Sequence, residues 1–148
     1  MSDTARVLLT AAALSGLTAG VFAWTLTRLD PAGAERLIGE LRLAQGAALI
    51  LSAIGAVAIG LAVANETTPL GPLEVSLGLG CAVLAGFVLR QEPREGLLLV
   101  TGGFLIHALL NIAHRPGLLP PVAPRWYAVG SAIYDVYLAA ICYWARRR

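Results

Sequence analysis

Five apolar runs, each long enough to cross a bilayer, alternate along this chain with short polar segments. They extend from Val7 to Leu26, Leu43 to Ala64, Leu73 to Leu89, Gly96 to Ala113 and Trp126 to Trp144. At a rise of 1.5 Å per residue, runs of 17 to 22 residues bridge a hydrocarbon core of about 30 Å, the third and fourth narrowly. The segments between them carry turn or helix-stop chemistry: Asp30-Pro31-Ala32-Gly33, Thr68-Pro69-Leu70-Gly71-Pro72, Gln91-Glu92-Pro93-Arg94, and the stretch from Pro116 to Pro124. The pattern predicts an all-α integral membrane bundle of five transmembrane helices, a single domain over residues 1–148.

Composition agrees, since 57% hydrophobic and 14% charged residues lie far from the roughly 45–50% and 25% of soluble domains. All eleven basic residues are arginine and the net charge is +2, too small and too dispersed for nucleic-acid binding. Cys81 and Cys142 stand singly in apolar runs, without the spacing of a thiol redox or zinc site, and read as small core residues. The first run reads as an anchor rather than a cleaved signal peptide. It exceeds the 7–15 residues of a signal core and ends in Trp24 and Arg28 rather than a small-x-small cleavage site.

Arginine placement sets an expected orientation. The first connector holds Arg28, Arg36 and Arg42, the third Arg90 and Arg94, and the chain closes on Arg146-Arg147-Arg148, whereas the second connector has none and the fourth has Arg115 and Arg125. Positive-inside bias puts the first and third connectors and the C-terminus in the cytoplasm and the N-terminus outside, in a bacterial inner membrane. In the first connector Asp30 can cap a short helix with Leu37, Ile38 and Leu41 on one face, lying along the cytoplasmic interface, or the segment is a simple linker turn. Gly16 and Gly20, Ala56 and Gly60, and Gly78, Ala82 and Gly86 form small-xxx-small rows. These suit close packing within the bundle, and could also serve a homo-oligomer or a larger membrane complex. Trp24, Trp126, Tyr127, Tyr143 and Trp144 lie near span ends, as interfacial aromatics do.

Against this background His107, Asn111, His114 and Asp135 stand out, because an ionisable residue inside a span is costly and marks function by default. His107, Asn111 and His114 fall at i, i+4 and i+7 on one helix face. With the fourth span running outward, His114 lies at the outer interface, Asn111 about 4 Å deeper and His107 about 10 Å deep. Asp135, nine residues into the returning fifth span, lies about 13 Å deep and so near the level of His107. Glu74 enters the third span at the level of His114. The expected pocket therefore lies in the outer half of the bilayer between the third, fourth and fifth spans; Gln45 is the main inner-half polar residue.

Several chemistries suit such a set. The blandest is interhelical hydrogen bonding, worth about 1 kcal/mol per bond. A metal held by both histidines is disfavoured, because paired helical ligands sit at i, i+4 while i, i+7 separates the anchors by about 10 Å. One metal could instead take His107 with Asp135, or His114 with Glu74. A tetrapyrrole ligated by His107 alone would use the room left by Gly102 and Gly103. A His107–Asp135 pair could perform acid/base work on a lipid-like substrate, with His107 as base and Asp135 orienting it. Alternatively, a cleft open to the outer leaflet holds a small amphiphile, its head met by His107, Asn111, His114, Asp135 and Glu74.

The stretch His107-Ala108-Leu109-Leu110-Asn111-Ile112-Ala113-His114, followed by Pro124-Arg125-Trp126-Tyr127 and Tyr134-Asp135, resembles a pattern in small uncharacterised bacterial multi-pass membrane proteins. That pattern runs His-x-x-Trp-Asp-x-x-His-His, then a short proline-containing connector, an aromatic and a membrane-embedded Asp. Leu110, Asn111 and Arg115 stand where it has Trp, Asp and a second His. The resemblance covers about the last third of the chain. It implies that His107, His114 and Asp135 belong together and brings no activity. The expectation is a binding or accessory membrane protein, with a membrane enzyme as the alternative and a tetrapyrrole protein as a second.

Overall fold

A computed structural model of the protein describes residues 3–64, 71–114 and 123–148. Among the described residues five helices follow one another: α1 (Asp3–Leu26), α2 (Ala34–Ala64), α3 (Gly71–Val88), α4 (Pro93–Ala113) and α5 (Arg125–Arg147). Among the described residues there is no strand. Four of the helices, all but α3, are long and apolar enough to cross a membrane; the apolar part of α3 runs over Pro72–Val88. Thr68 and Pro69, and the prolines from Pro116 to Pro121, lie outside the described residues.

The helices ending at the sequence-predicted punctuation do so for identifiable reasons. Asp30 closes the turn after α1: its carboxylate accepts from the Ala32 amide at 3.0 Å, and its carbonyl accepts from the Gly33 amide at 2.9 Å. Pro93 opens α4 at a position where the missing N–H would have no helical partner.

α2 differs from expectation. No separate interfacial helix precedes the second span, since α2 runs unbroken for 31 residues, about 46 Å. Its buried stripe begins with Arg36 and Glu40 and continues through Leu43, Ala47 and Leu51 at helical spacing. Leu37 and Ile38, expected on the face of a short interfacial helix, are exposed on α2 at 56% and 50%. The charged face is the one that packs.

α2 packs chiefly on α3, α4 chiefly on α5, and α2 also crosses α4; α1 rests mainly on α5 and only lightly on α2. The core is formed by Leu51, Leu97, Val100, Phe104, Leu138 and Cys142 with small alanines around them. The exterior is equally apolar: Leu49 is 67% exposed, Val83 73% and Ile133 67%. Soluble monomers rarely expose contiguous apolar surface of this kind, whereas a bilayer solvates it.

Two glycine contacts set the packing. α2 and α3 meet backbone to backbone, since a Cβ on Gly55 would lie 2.6 Å from the Gly78 carbonyl oxygen and one on Gly78 2.5 Å from that of Gly55. α1 is seated on α5 by Tyr137, whose hydroxyl donates to the Gly16 carbonyl at 3.2 Å and would lie 2.6 Å from a Cβ on Gly20. The row of Gly16 and Gly20 is therefore used inside the bundle. Of the other predicted rows only Gly78 is so used; Ala56, Gly60, Ala82 and Gly86 are exposed, and nothing lies within 4 Å of a Cβ on Gly60 or Gly86.

Candidate functional site

One end of the bundle gathers the polar residues of α3, α4 and α5. On α4, His107 and Asn111 face α5, where Ser131 and Asp135 stand one turn apart. His107 Nδ1 lies 2.7 Å from Asp135 Oδ2, both groups buried and Asp135 at 0% exposure. The level estimate from helix rise thus brings together the two residues it pairs. The Asn111 amide donates to the His107 carbonyl at 3.2 Å and to Ser131 Oγ at 3.3 Å, and lies 3.5 Å from Asp135 Oδ2. The His107 carbonyl and the Asp135 carboxylate, which only accept, favour the amide nitrogen on this side, where it also lies 3.1 Å from His107 Nδ1.

Asp135 Oδ2 is consequently ringed by donors while Asp135 Oδ1 has none. A buried acceptor without a partner is costly and is found where a further group or ordered water belongs. With Nδ1 committed to the carboxylate, Nε2 is the His107 nitrogen left for chemistry.

A second pair lies one turn nearer the end of the bundle. His114 Nδ1 donates to the Leu110 carbonyl at 2.8 Å. Its Nε2 faces Glu74 Oε1 at 2.6 Å, close enough for an ion pair yet not aligned as a hydrogen bond, since both atoms lack a hydrogen-bond partner. Glu74, His107, Asn111 and His114 all line one small cavity, together with Cys81 and Tyr127. Its volume is about 40 Å³, room for a few waters or a group of a few heavy atoms. The predicted pocket residues are thus adjacent. Asp135 lies behind His107 and Asn111 rather than on the cavity wall.

Pattern reading missed part of this site. α2 contributes a wall through Gly55, Ala58 and Leu61, beyond the three spans expected. Ser131 also belongs to the network; its signal was its place one turn before Asp135, on the same face.

The cofactor alternatives meet specific geometry. The space beside Gly103 is taken by Leu51 and Leu84, each 2.8 Å from a Cβ placed there. The room at this glycine is therefore closed, whereas nothing lies within 4 Å of a Cβ on Gly102. Among the described residues no three His, Cys, Asp or Glu side chains converge as a metal site; the two histidines each face a different carboxylate.

At the opposite end lies a polar cluster that sequence reading did not find. Arg36 and Glu40, each 1% exposed, pair at 2.7 Å between Nε and Oε1. Glu40 Oε2 accepts from Arg94 Nε at 3.1 Å. The Arg36 guanidinium also donates to the carbonyls of Leu26 and Ala145. Arg36 thereby supplies a donor to the Ala145 carbonyl, in the last turn of α5, and a second donor to the Leu26 carbonyl, which also accepts from the Leu29 amide at 3.1 Å. Gln45, the expected inner-half polar residue, is exposed.

Comparison with protein-family models, with curated proteins and with solved structures finds no match to this chain. Function is therefore argued from the site.

Proposed function

We propose that the protein is a five-span protein of a bacterial inner membrane, N-terminus outside and C-terminus in the cytoplasm, that binds a small amphiphile in the outer half of the bilayer. The arginine asymmetry supports the orientation, with α3, the shortest span, crossing as the fifth. The carrying observation is the fully buried Asp135 carboxylate with one oxygen unpartnered, held by the two residues that face the cavity. A cavity of about 40 Å³ admits only a compact polar head, such as a hydroxyl, carbonyl or amide. Tyr127 lines both this cavity and an apolar groove of about 340 Å³ between α1, α2 and α5. The groove is of ordinary ligand-binding size and would take the tail. His107, Asn111, His114 and Glu74 meet the head, and Asp135 orients His107.

One observation favours an enzymatic reading beside it. The Nδ1–carboxylate contact leaves Nε2 of His107, a residue lining the cavity, to act as a general base, the arrangement of an acid/base pair. The exposed small-residue rows of Ala56 and Gly60, and of Ala82 and Gly86, support association with a second copy or a larger membrane complex.

The test is lipid analysis by mass spectrometry of protein purified in mild detergent. Wild type is expected to carry one enriched small amphiphile, and His107→Ala and Asp135→Asn to lose it while retaining helicity and elution volume. Equal lipid content in all three proteins would remove the binding reading, and conversion of the recovered amphiphile by wild type alone would favour the enzyme.

A further inference from the structure

The seam between α1 and α2 remains open at the arginine-rich end, although the two helices are consecutive in the chain. α1 is drawn onto α5 by Tyr137, and Gly46 on α2 presents no side chain, with nothing within 4 Å of a Cβ built there. The result is a groove of about 300 Å³ walled by Ala19, Phe22, Gly46, Ala47, Ile50 and Ile141. It is separate from the cavity at His107. Arg42 stands at its mouth.

Arg42 differs from its neighbours at this end of the bundle, Arg36 on α2 and Arg94 on α4. Arg36 and Arg94 both engage Glu40, whereas Arg42 is exposed and makes no hydrogen bond or ion pair among the described residues. It immediately precedes the apolar run that begins at Leu43, so its guanidinium sits at the edge of the hydrocarbon region, the depth of lipid phosphates. From Arg42 to Ile50 the groove descends about 12 Å, close to one leaflet's share of a 30 Å core. The surrounding charge is positive: Arg28, Arg36, Arg42, Arg90, Arg94 and the three terminal arginines, eight in all, face five acids, Asp30, Glu35, Glu40, Glu92 and Glu95.

We propose that this groove is a binding site for an anionic phospholipid of the cytoplasmic leaflet, its phosphate paired with Arg42 and one acyl chain lying against Gly46 and Phe22. An apolar slot one leaflet deep beneath an unpaired guanidinium matches both parts of such a lipid. The positive surroundings favour a head group of net negative charge over a zwitterionic one.

The experiment uses full-length protein, delipidated and then exposed to vesicles of phosphatidylglycerol or phosphatidylcholine, with bound lipid counted by native mass spectrometry. Wild type is expected to retain one phosphatidylglycerol in preference to phosphatidylcholine. Arg42→Gln is expected to lower that retention about fivefold, the effect of one arginine near an anionic surface. Gly46→Leu places its Cβ in open space and its side chain in the groove, and is expected to lower retention while leaving Arg42 in place. His107→Ala is expected to retain phosphatidylglycerol as wild type does, so loss at this site and loss at the outer-half pocket are separable. Retention undiminished by either groove variant, or equal for the two lipids, overturns the proposal. A thermal unfolding midpoint within a few degrees of wild type is required of each variant, and Arg42→Lys, which keeps the charge, is expected to restore most of the retention lost in Arg42→Gln.

Discussion

His107 Nδ1 and Asp135 Oδ2 lie 2.7 Å apart inside the bundle while the second oxygen of the same carboxylate meets no donor. A pair serving stability alone would be more economical with both oxygens satisfied. Replacing one partner of a buried pair strands the other, whereas replacing both with apolar residues of similar size can be neutral. Asp135→Leu alone is therefore expected to destabilise the protein by about 2 kcal/mol or more. The double variant His107→Leu/Asp135→Leu is expected to recover most of that stability in detergent unfolding without recovering the bound amphiphile. Recovery of both would assign the pair to packing alone.

Glu40 carries a different burden. It balances Arg36 in a site that excludes water, and removing it leaves a buried guanidinium with only the Leu26 and Ala145 carbonyls. Glu40→Ala is expected to cost about 3 kcal/mol. Arg94→Ala, whose side chain is 53% exposed, should cost about 0.5 kcal/mol. Chemical unfolding of the two variants gives the ranking directly, and equal losses would contradict the burial argument.

These two clusters show what sequence reading could reach. The apolar runs located all five helices, and α1 ends where its run ends, at Leu26. Helix rise was enough to place His107 opposite Asp135 and Glu74 beside His114, because neighbouring antiparallel helices share a vertical scale. The start of α2 was not legible. Arg36 and Glu40 look like connector residues until the C-terminal turn of α5, more than 100 positions away, supplies the Ala145 carbonyl that Arg36 needs. The size of the cavity was equally hidden, since it depends on α2 closing one wall through Gly55 and its neighbours. Pattern also could not tell which small residues pack: Gly78 meets Gly55 backbone to backbone, while Gly60 and Gly86 face outward.

That last distinction is measurable. Gly78→Ala forces a methyl group into the α2 backbone and is expected to destabilise by about 1–3 kcal/mol, the usual cost of overpacking. Gly60→Ala meets nothing and gains helix propensity, up to about 1 kcal/mol. In a protein that self-associates through its outer rows, Gly60→Leu should in addition shift the elution volume towards monomer, and Gly78→Ala should not.

The tautomers of the two histidines follow from their acceptors. The Leu110 carbonyl can only accept, so His114 must carry hydrogen on Nδ1; His107 Nδ1, directed at the Asp135 carboxylate, is expected to carry one as well. Nitrogen-15 spectra of histidine-labelled protein distinguish protonated from unprotonated ring nitrogens and should show a protonated Nδ1 in both residues. Asp135→Asn removes the carboxylate from one imidazole only, so it should move the His107 signals and leave those of His114 in place. A His114 ring protonated at Nε2 alone would contradict the contact with Leu110, and a His107 signal indifferent to Asp135→Asn would dissolve the pairing on which the pocket rests.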